Sequence, residues 1–116
     1  MLDRLSHITD GKSARYSSWD VSGRNADAWS IPTGESAVLA DIKGPGKITH
    51  IWMTQPHHYR ECLLKFTWDN AKQPSVVVPL GDFFGLGHGI VNSYQSMLFT
   101  ASTRNNNNLG GGCALN

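Results

Sequence analysis

At 116 residues with a formal net charge of +1, the chain has the size of one domain or of a piece of one. Its ten Lys and Arg are scattered, which excludes the basic stripe that nucleic acid or an anionic membrane surface requires. No apolar run approaches membrane-crossing length, and the opening MLDRLSHITDGKSARYSSWD lacks a secretory apolar segment, so a soluble cytoplasmic protein is expected.

Residues 1–12 read as an N-terminal extension, where Leu2, Leu5 and Ile8 suggest one short helical turn closed by Asp10-Gly11. The following SARYSSWDVSGRNADAWSIP has no helical period and is rich in Ser, Asn, Asp and Gly. It reads as irregular loop, with short extended pieces at 14–18 and 28–31.

From Glu35 the pattern becomes strand after strand. Residues 36–43 carry Val38, Ala40 and Ile42 on one face, and Gly44-Pro45-Gly46 is a strong turn signal. Residues 47–54 place Ile48, His50, Trp52 and Thr54 on one face, with Thr49, Ile51 and Met53 on the other. A polar loop over 55–60 leads to 62–69, which aligns Cys62, Leu64, Phe66 and Trp68. After a turn over 69–74 comes the β-branched run Val76, Val77, Val78, ended by Pro79, which has no amide hydrogen for a ladder. Four strands with short turns and no helical period predict an antiparallel all-β sandwich or jelly roll over 13–104.

Beyond it, 97–101 suggests one more strand. Residues 105–116 read as an Asn/Gly-rich loop, resembling a flexible linker, that leads into a strand opening at Cys113. A sandwich that stops on an unfinished strand leaves an open edge, so the sequence is expected to be part of something longer.

The stretch SVVVPLGDFFGLGHG, 75–89, sets Asp82, Phe83, Phe84 and His88 among four glycines directly after a strand. Glycine at this density allows backbone angles other residues resist. Two readings stand side by side: a ligand wall of aromatics beside an acid, or a turn whose phenylalanines plug the core.

Other chemistry finds little support. His50, His57, His58 and His88 show no metal-ligand spacing, and His50 is expected in or beside the core. No Gly-x-Ser-x-Gly is present, and Cys62 and Cys113, far apart, are expected as two free thiols. Of the nine acids only Glu35 and Glu61 are glutamates, and neither has an evident partner of the kind glycoside cleavage needs. Asp20, Asp27 and Asp82 are more informative, because each lies beside aromatic or amide groups: Trp19, Asn25, and Phe83 with Phe84. Sugars stack on aromatic rings while acids and amides take their hydroxyls. Asp20 and Asp27 equally suit loop capping.

Three ordered blocks carry a resemblance. They are Ser17-Ser18-Trp19-Asp20 with Gly23-Arg24-Asn25-Ala26-Asp27, then Ala40-Asp41-Ile42-x-Gly44-Pro45-Gly46-x-Ile48-x-His50-Ile51-Trp52, then Pro79-Leu80-Gly81-Asp82-Phe83-Phe84-Gly85-x-Gly87-His88-Gly89. Together, from about Lys12 onward, they resemble glycoside hydrolase family 172. Its members include difructose-dianhydride synthase/hydrolases acting on α-D-fructofuranosides and exo-acting α-D-arabinofuranosidases. The resemblance implies two jelly rolls in one subunit, trimers or hexamers, and a retaining reaction with a glutamate nucleophile and a glutamate acid/base. Both glutamates lie in the family's later half, so by that correspondence this chain holds no catalytic residue and is expected to be inactive alone; no cofactor is expected. Trp19, Asp20, Asn25, Asp27, Asp82, Phe83 and His88 are the expected sugar-binding residues. Arg24 departs from the family's usual glycine, which is expected to alter the loop before Asn25. The competing expectations are a non-catalytic carbohydrate-binding sandwich and a structural assembly module.

Overall fold

The structure is a computed structural model that describes residues 7, 8, 10–55, 59–104 and 108–116. The chain divides into two compact units, Met1–Pro45 and Gly46–Asn116.

In the first unit the described residues form turns and irregular backbone without a regular strand or helix. The irregular reading of the Ser- and Asn-rich segment therefore holds. One tight turn is closed by Glu35 N donating to Pro32 O at 3.0 Å, with Gly34 at φ +83. Only a residue free of Cβ crowding adopts that angle readily. The strand expected over 36–43 is not formed. Its apolar face is present in sequence but uncovered, with Val38 77% and Ile42 51% exposed. Alternation supplies a face, whereas a strand exists only through a partner, and 36–43 pairs with no described residue. The helical turn expected over 1–12 lies largely outside the described residues.

All described strands belong to the second unit. In chain order they are β1 (Ile51–Met53), β2 (Leu63–Phe66), β3 (Val76–Pro79), β4 (Tyr94–Gln95), β5 (Phe99–Arg104) and β6 (Asn108–Leu115). A four-residue helix, α1 (Leu80–Phe83), and a 3-10 turn, Gly87–Gly89, stand between β3 and β4. The protein is all-β: β1-β6-β5-β4 form one antiparallel sheet, and β2-β3 form a two-stranded antiparallel one.

The β2–β3 hairpin follows its alternation as far as Phe66, whereas Trp68, expected on the same face, lies beyond the strand and is 46% exposed. Leu64 is buried and Cys62 and Phe66 are half-buried, while Leu63 and Lys65 are exposed. The chain reverses through Asp69 (φ 52) and Asn70 (φ 57), closed by Ala71 N donating to Trp68 O at 2.9 Å. Asp and Asn tolerate that region best among side-chain-bearing residues. Pro79 occupies the last pair of the ladder, opposite Leu63. The next amide, Leu80 N, donates to Cys62 O at 2.8 Å, so proline marks the switch from strand to helix.

Three sequence expectations shift. The strand expected over 47–54 is paired only at Ile51–Met53, with those two residues inward and Trp52 56% exposed. His50, expected in or beside the core, is exposed. The glycine run expected as linker is part of β6, the strand flanked by β1 and β5. At Gly112, φ +85, an added Cβ would stand 2.7 Å from Met53 O and 2.8 Å from Trp52 Nε1. Glycine is therefore required there by close strand approach, which composition alone reads as flexibility.

The core gathers Tyr59, Leu64, Leu80, Phe84, Leu86, Ala101 and Cys113 from both sheets and from the turn after β3. Phe84, only 1% exposed, is its largest fully buried side chain. Burial of such a ring contributes about 1.5–3 kcal/mol. Cys62 and Cys113 are free thiols, Cys113 being buried. No described helix is long and apolar enough to cross a membrane.

Candidate functional site

The glycine-rich turn after β3 resolves into an inner and an outer side. Gly81 N donates to Tyr59 O at 2.9 Å, and a Cβ on Gly81 would stand 2.9 Å from Tyr59 Cβ. The glycine thus lets α1 press against the segment that leads into β2. Leu86 N donates back to Gly81 O at 2.8 Å and Gly85 N to Asp82 O at 3.0 Å, closing the turn on itself. Gly85 adopts φ +77.

On the inner side Phe84 is buried, and the Tyr94 hydroxyl donates to its carbonyl oxygen. Phe83 is half-buried at the centre of an aromatic cluster. Its ring centroid lies 5.0 Å from Phe84, 5.5 Å from Phe66 and 5.9 Å from Phe99, two of these contacts being edge-to-face. Edge-to-face packing of this kind adds about 0.5–1.5 kcal/mol per pair beyond area burial. The core-plugging reading therefore holds for Phe84, while Phe83 joins the plug to the partly exposed residues beside it.

On the outer side stand Asp82 and His88. Asp82 Oδ2 accepts from Arg60 Nη1 at 2.5 Å, with the aspartate side chain 28% and the arginine side chain 49% exposed. Asp82 Oδ1 is buried and has no hydrogen-bond partner among the described residues. An acceptor left in this state costs free energy unless a donor reaches it, which marks the carboxylate as the most demanding polar group of the turn. His88 is exposed, with a left-handed backbone (φ 60) between Gly87 and Gly89 (φ +70). Two successive left-handed residues push the imidazole-bearing segment away from regular helix, at a cost of order 1 kcal/mol or more for the histidine.

The first unit holds the other four expected residues in one loop, 18–27, organised by Asp20. Asp20 Oδ1 accepts from Ser22 N (2.8 Å) and Ser22 Oγ (2.7 Å), and Oδ2 from Arg24 N and Ala26 N (both 3.1 Å). Bonds from the Ser22 hydroxyl and amide, then those from Ala26 and Arg24, hold its carboxyl below the ordinary aspartate value of 3.8, against a small opposing effect of burial. Asp27 Oδ1 accepts from Asp20 N at 2.8 Å, and the Ser18 hydroxyl donates to Asp27 O. Asn25 takes the left-handed angle (φ 65), two residues after Gly23 (φ 71). Arg24 contributes its amide to Asp20 and keeps a negative φ. Trp19 is 64% exposed and lines an open hollow with Arg15 and Ser17.

Trp19, Asp20, Asn25 and Asp27 thus lie together in the first unit, and Asp82, Phe83 and His88 together in the second. The residue beside these candidates that sequence reasoning did not single out is Arg60. It sits in a segment read as polar loop, 22 positions from the aspartate it meets, and no local pattern connects them. In the second unit the void lined by Met53, Thr54, Gln55, Tyr59, Leu80 and Phe84 measures about 10 Å³. That is room for a single water, where a small-molecule pocket needs about 300 Å³ or more. Glu35 and Glu61 are both exposed. Among the described residues no three His, Cys, Asp or Glu converge on a metal-sized space.

Residues 23–109 match the sequence profile of a family described as GH172 domain-like. No curated protein matched the chain.

Proposed function

Because the chain belongs to the GH172 domain-like family, we propose that it supplies sugar-facing surface to a retaining glycoside hydrolase or transglycosylase acting on α-D-fructofuranosides or α-D-arabinofuranosides. The observation that carries this reading is the match over 23–109, which includes Asn25, Asp27, Asp82, Phe83 and His88. Trp19 and Asp20 lie just before it, in the loop that Asp20 closes.

Each residue has a role that its chemistry supports. Trp19, largely exposed, offers a ring on which the apolar face of a furanose stacks. The Asp82 carboxylate, whose side chain is 28% exposed, is an acceptor suited to a sugar hydroxyl where it meets solvent. His88 presents an imidazole that donates or accepts as the sugar requires. Phe83 keeps Asp82 in register by anchoring α1 in the aromatic cluster. Asp20, whose oxygens accept four hydrogen bonds within its own loop, and Asp27 shape the segment that carries Trp19 and Asn25. Cleavage in this reading belongs to glutamates outside the present sequence, in an enzyme built as a trimer or hexamer. The chain itself binds without breaking a glycosidic bond.

Binding is tested by titrating methyl α-D-fructofuranoside and methyl α-D-arabinofuranoside into the chain, followed by tryptophan fluorescence and by amide resonances. The expected result is saturable change at Trp19, Asp82 and His88, with no free sugar released. Unchanged spectra with both furanosides overturn the sugar-binding reading, and release of fructose or arabinose by the chain alone overturns its non-catalytic part.

A further inference from the structure

We propose that Arg60 is a positioning residue of this surface, holding the Asp82 carboxylate and the His88 turn in one fixed relation. Its ligand follows from the furanoside reading above, and its positioning follows from geometry alone.

The backbone on both sides of Arg60 is tied to the start of α1. Gly81 N donates to Tyr59 O at 2.9 Å, and Leu80 N donates to Cys62 O at 2.8 Å. The arginine therefore springs from a short segment clamped at each end. Its guanidinium donates through Nη1 to Asp82 Oδ2, a charge-assisted bond. Its aliphatic stem runs under the 3-10 turn, since a Cβ on Gly89 would stand 3.3 Å from Arg60 Cγ. One side chain thus touches the helix that bears the acid and the turn that bears the imidazole.

Two consequences separate positioning from a general structural role. Arg60 is half exposed, so water can take the place of its guanidinium at Asp82 Oδ2, and its loss is expected to be felt more in placement than in melting. The guanidinium also carries five N–H donors in a rigid fork. With its side chain 49% exposed, the fork can serve a sugar hydroxyl beside the carboxylate it holds. Lysine, a point charge on a flexible stem, restores charge but not this geometry.

The experiment uses the full chain as wild type, Arg60→Ala, Arg60→Lys and Asp82→Asn. Amide resonances of Asp82, His88 and Gly89 and the Asp82 carboxyl carbon are recorded without sugar, and affinity for methyl α-D-fructofuranoside is then measured. Arg60→Ala is expected to shift those resonances, leave the remaining core resonances and the melting midpoint within about 4 °C of wild type, and weaken binding about tenfold. Arg60→Lys is expected to recover binding only in part. Asp82→Asn, which keeps shape and removes the ion pair, reports the same amides should Arg60→Ala fold poorly. Wild-type shifts at His88 and Gly89 in Arg60→Ala, or in Asp82→Asn if that variant alone folds, overturn the positioning role whatever the sugar does. Wild-type protein that binds no furanoside overturns the preceding section's reading, while the sugar-free spectra still decide Arg60.

Discussion

Gly112 in β6 faces the Met53 carbonyl of β1 so closely that a Cβ on it would lie 2.7 Å from that oxygen. The glycine also has φ +85, so two independent costs attend any side chain there. Left-handed backbone costs a side-chain-bearing residue about 1–2 kcal/mol, and overpacking adds about 1–3 kcal/mol. Gly112→Ala is therefore expected to lose about 2–5 kcal/mol, read as a lower urea midpoint at unchanged slope. Stability within experimental error of wild type contradicts this account of β1–β6 contact.

Phe84 tests the turn after β3 as the plug of the core. Phe84→Ala is expected to cost about 3–5 kcal/mol, as for other fully buried rings. Tyr94→Phe, which removes only the hydroxyl that donates to Phe84 O, is expected to cost about 1 kcal/mol. Equal effects of the two variants in denaturant titration contradict the ordering.

Acid reports the loop around Asp20. Its carboxyl is held below 3.8 by bonds from Ser22, Ala26 and Arg24, so the folded loop binds the proton less readily than the unfolded chain does. The stabilisation is present above the unfolded value and is lost as pH falls through the lowered folded one. Amide resonances of Ser22, Arg24 and Ala26 are expected to hold position down to about pH 4 and to move together below it. In Asp20→Asn one oxygen becomes an amide nitrogen facing backbone donors, and the same resonances are expected to move at neutral pH. Insensitivity of all three amides to both changes removes Asp20 from the centre of the loop.

The two thiols differ in reach. Burial pushes Cys113 up from 9.0 to about 11, while Cys62 is only half-buried. Since the thiolate is the reactive form, a disulfide reagent at pH 8 is expected to label Cys62 first and Cys113 only after unfolding. Because the folded value is raised, stability is full below pH 9 and is expected to decline between 9 and about 11. Equal labelling rates in native buffer contradict the burial of Cys113.

Much of the second unit was legible in the residues. Alternation at Cys62, Leu64 and Phe66 pointed the right side chains inward, because a strand's period of two is local. Asp69-Asn70 marked a reversal, because those residues tolerate left-handed angles. The sugar-facing candidates came from motif resemblance, and within each unit the structure gathers them on one segment.

What the amino-acid order determined by itself was therefore the local grammar: which segments alternate, where turns fall, and that the class is all-β. Pairing was decided only in three dimensions. The Gly110–Gly112 run reads as linker until β1 and β5 flank it, and 36–43 alternates yet pairs with no described residue. Arg60 likewise meets Asp82 only when the fold brings them together across 22 positions. The physical reason is common to all three: hydrogen-bonded ladders and ion pairs depend on what lies opposite, and opposition is a property of the folded chain.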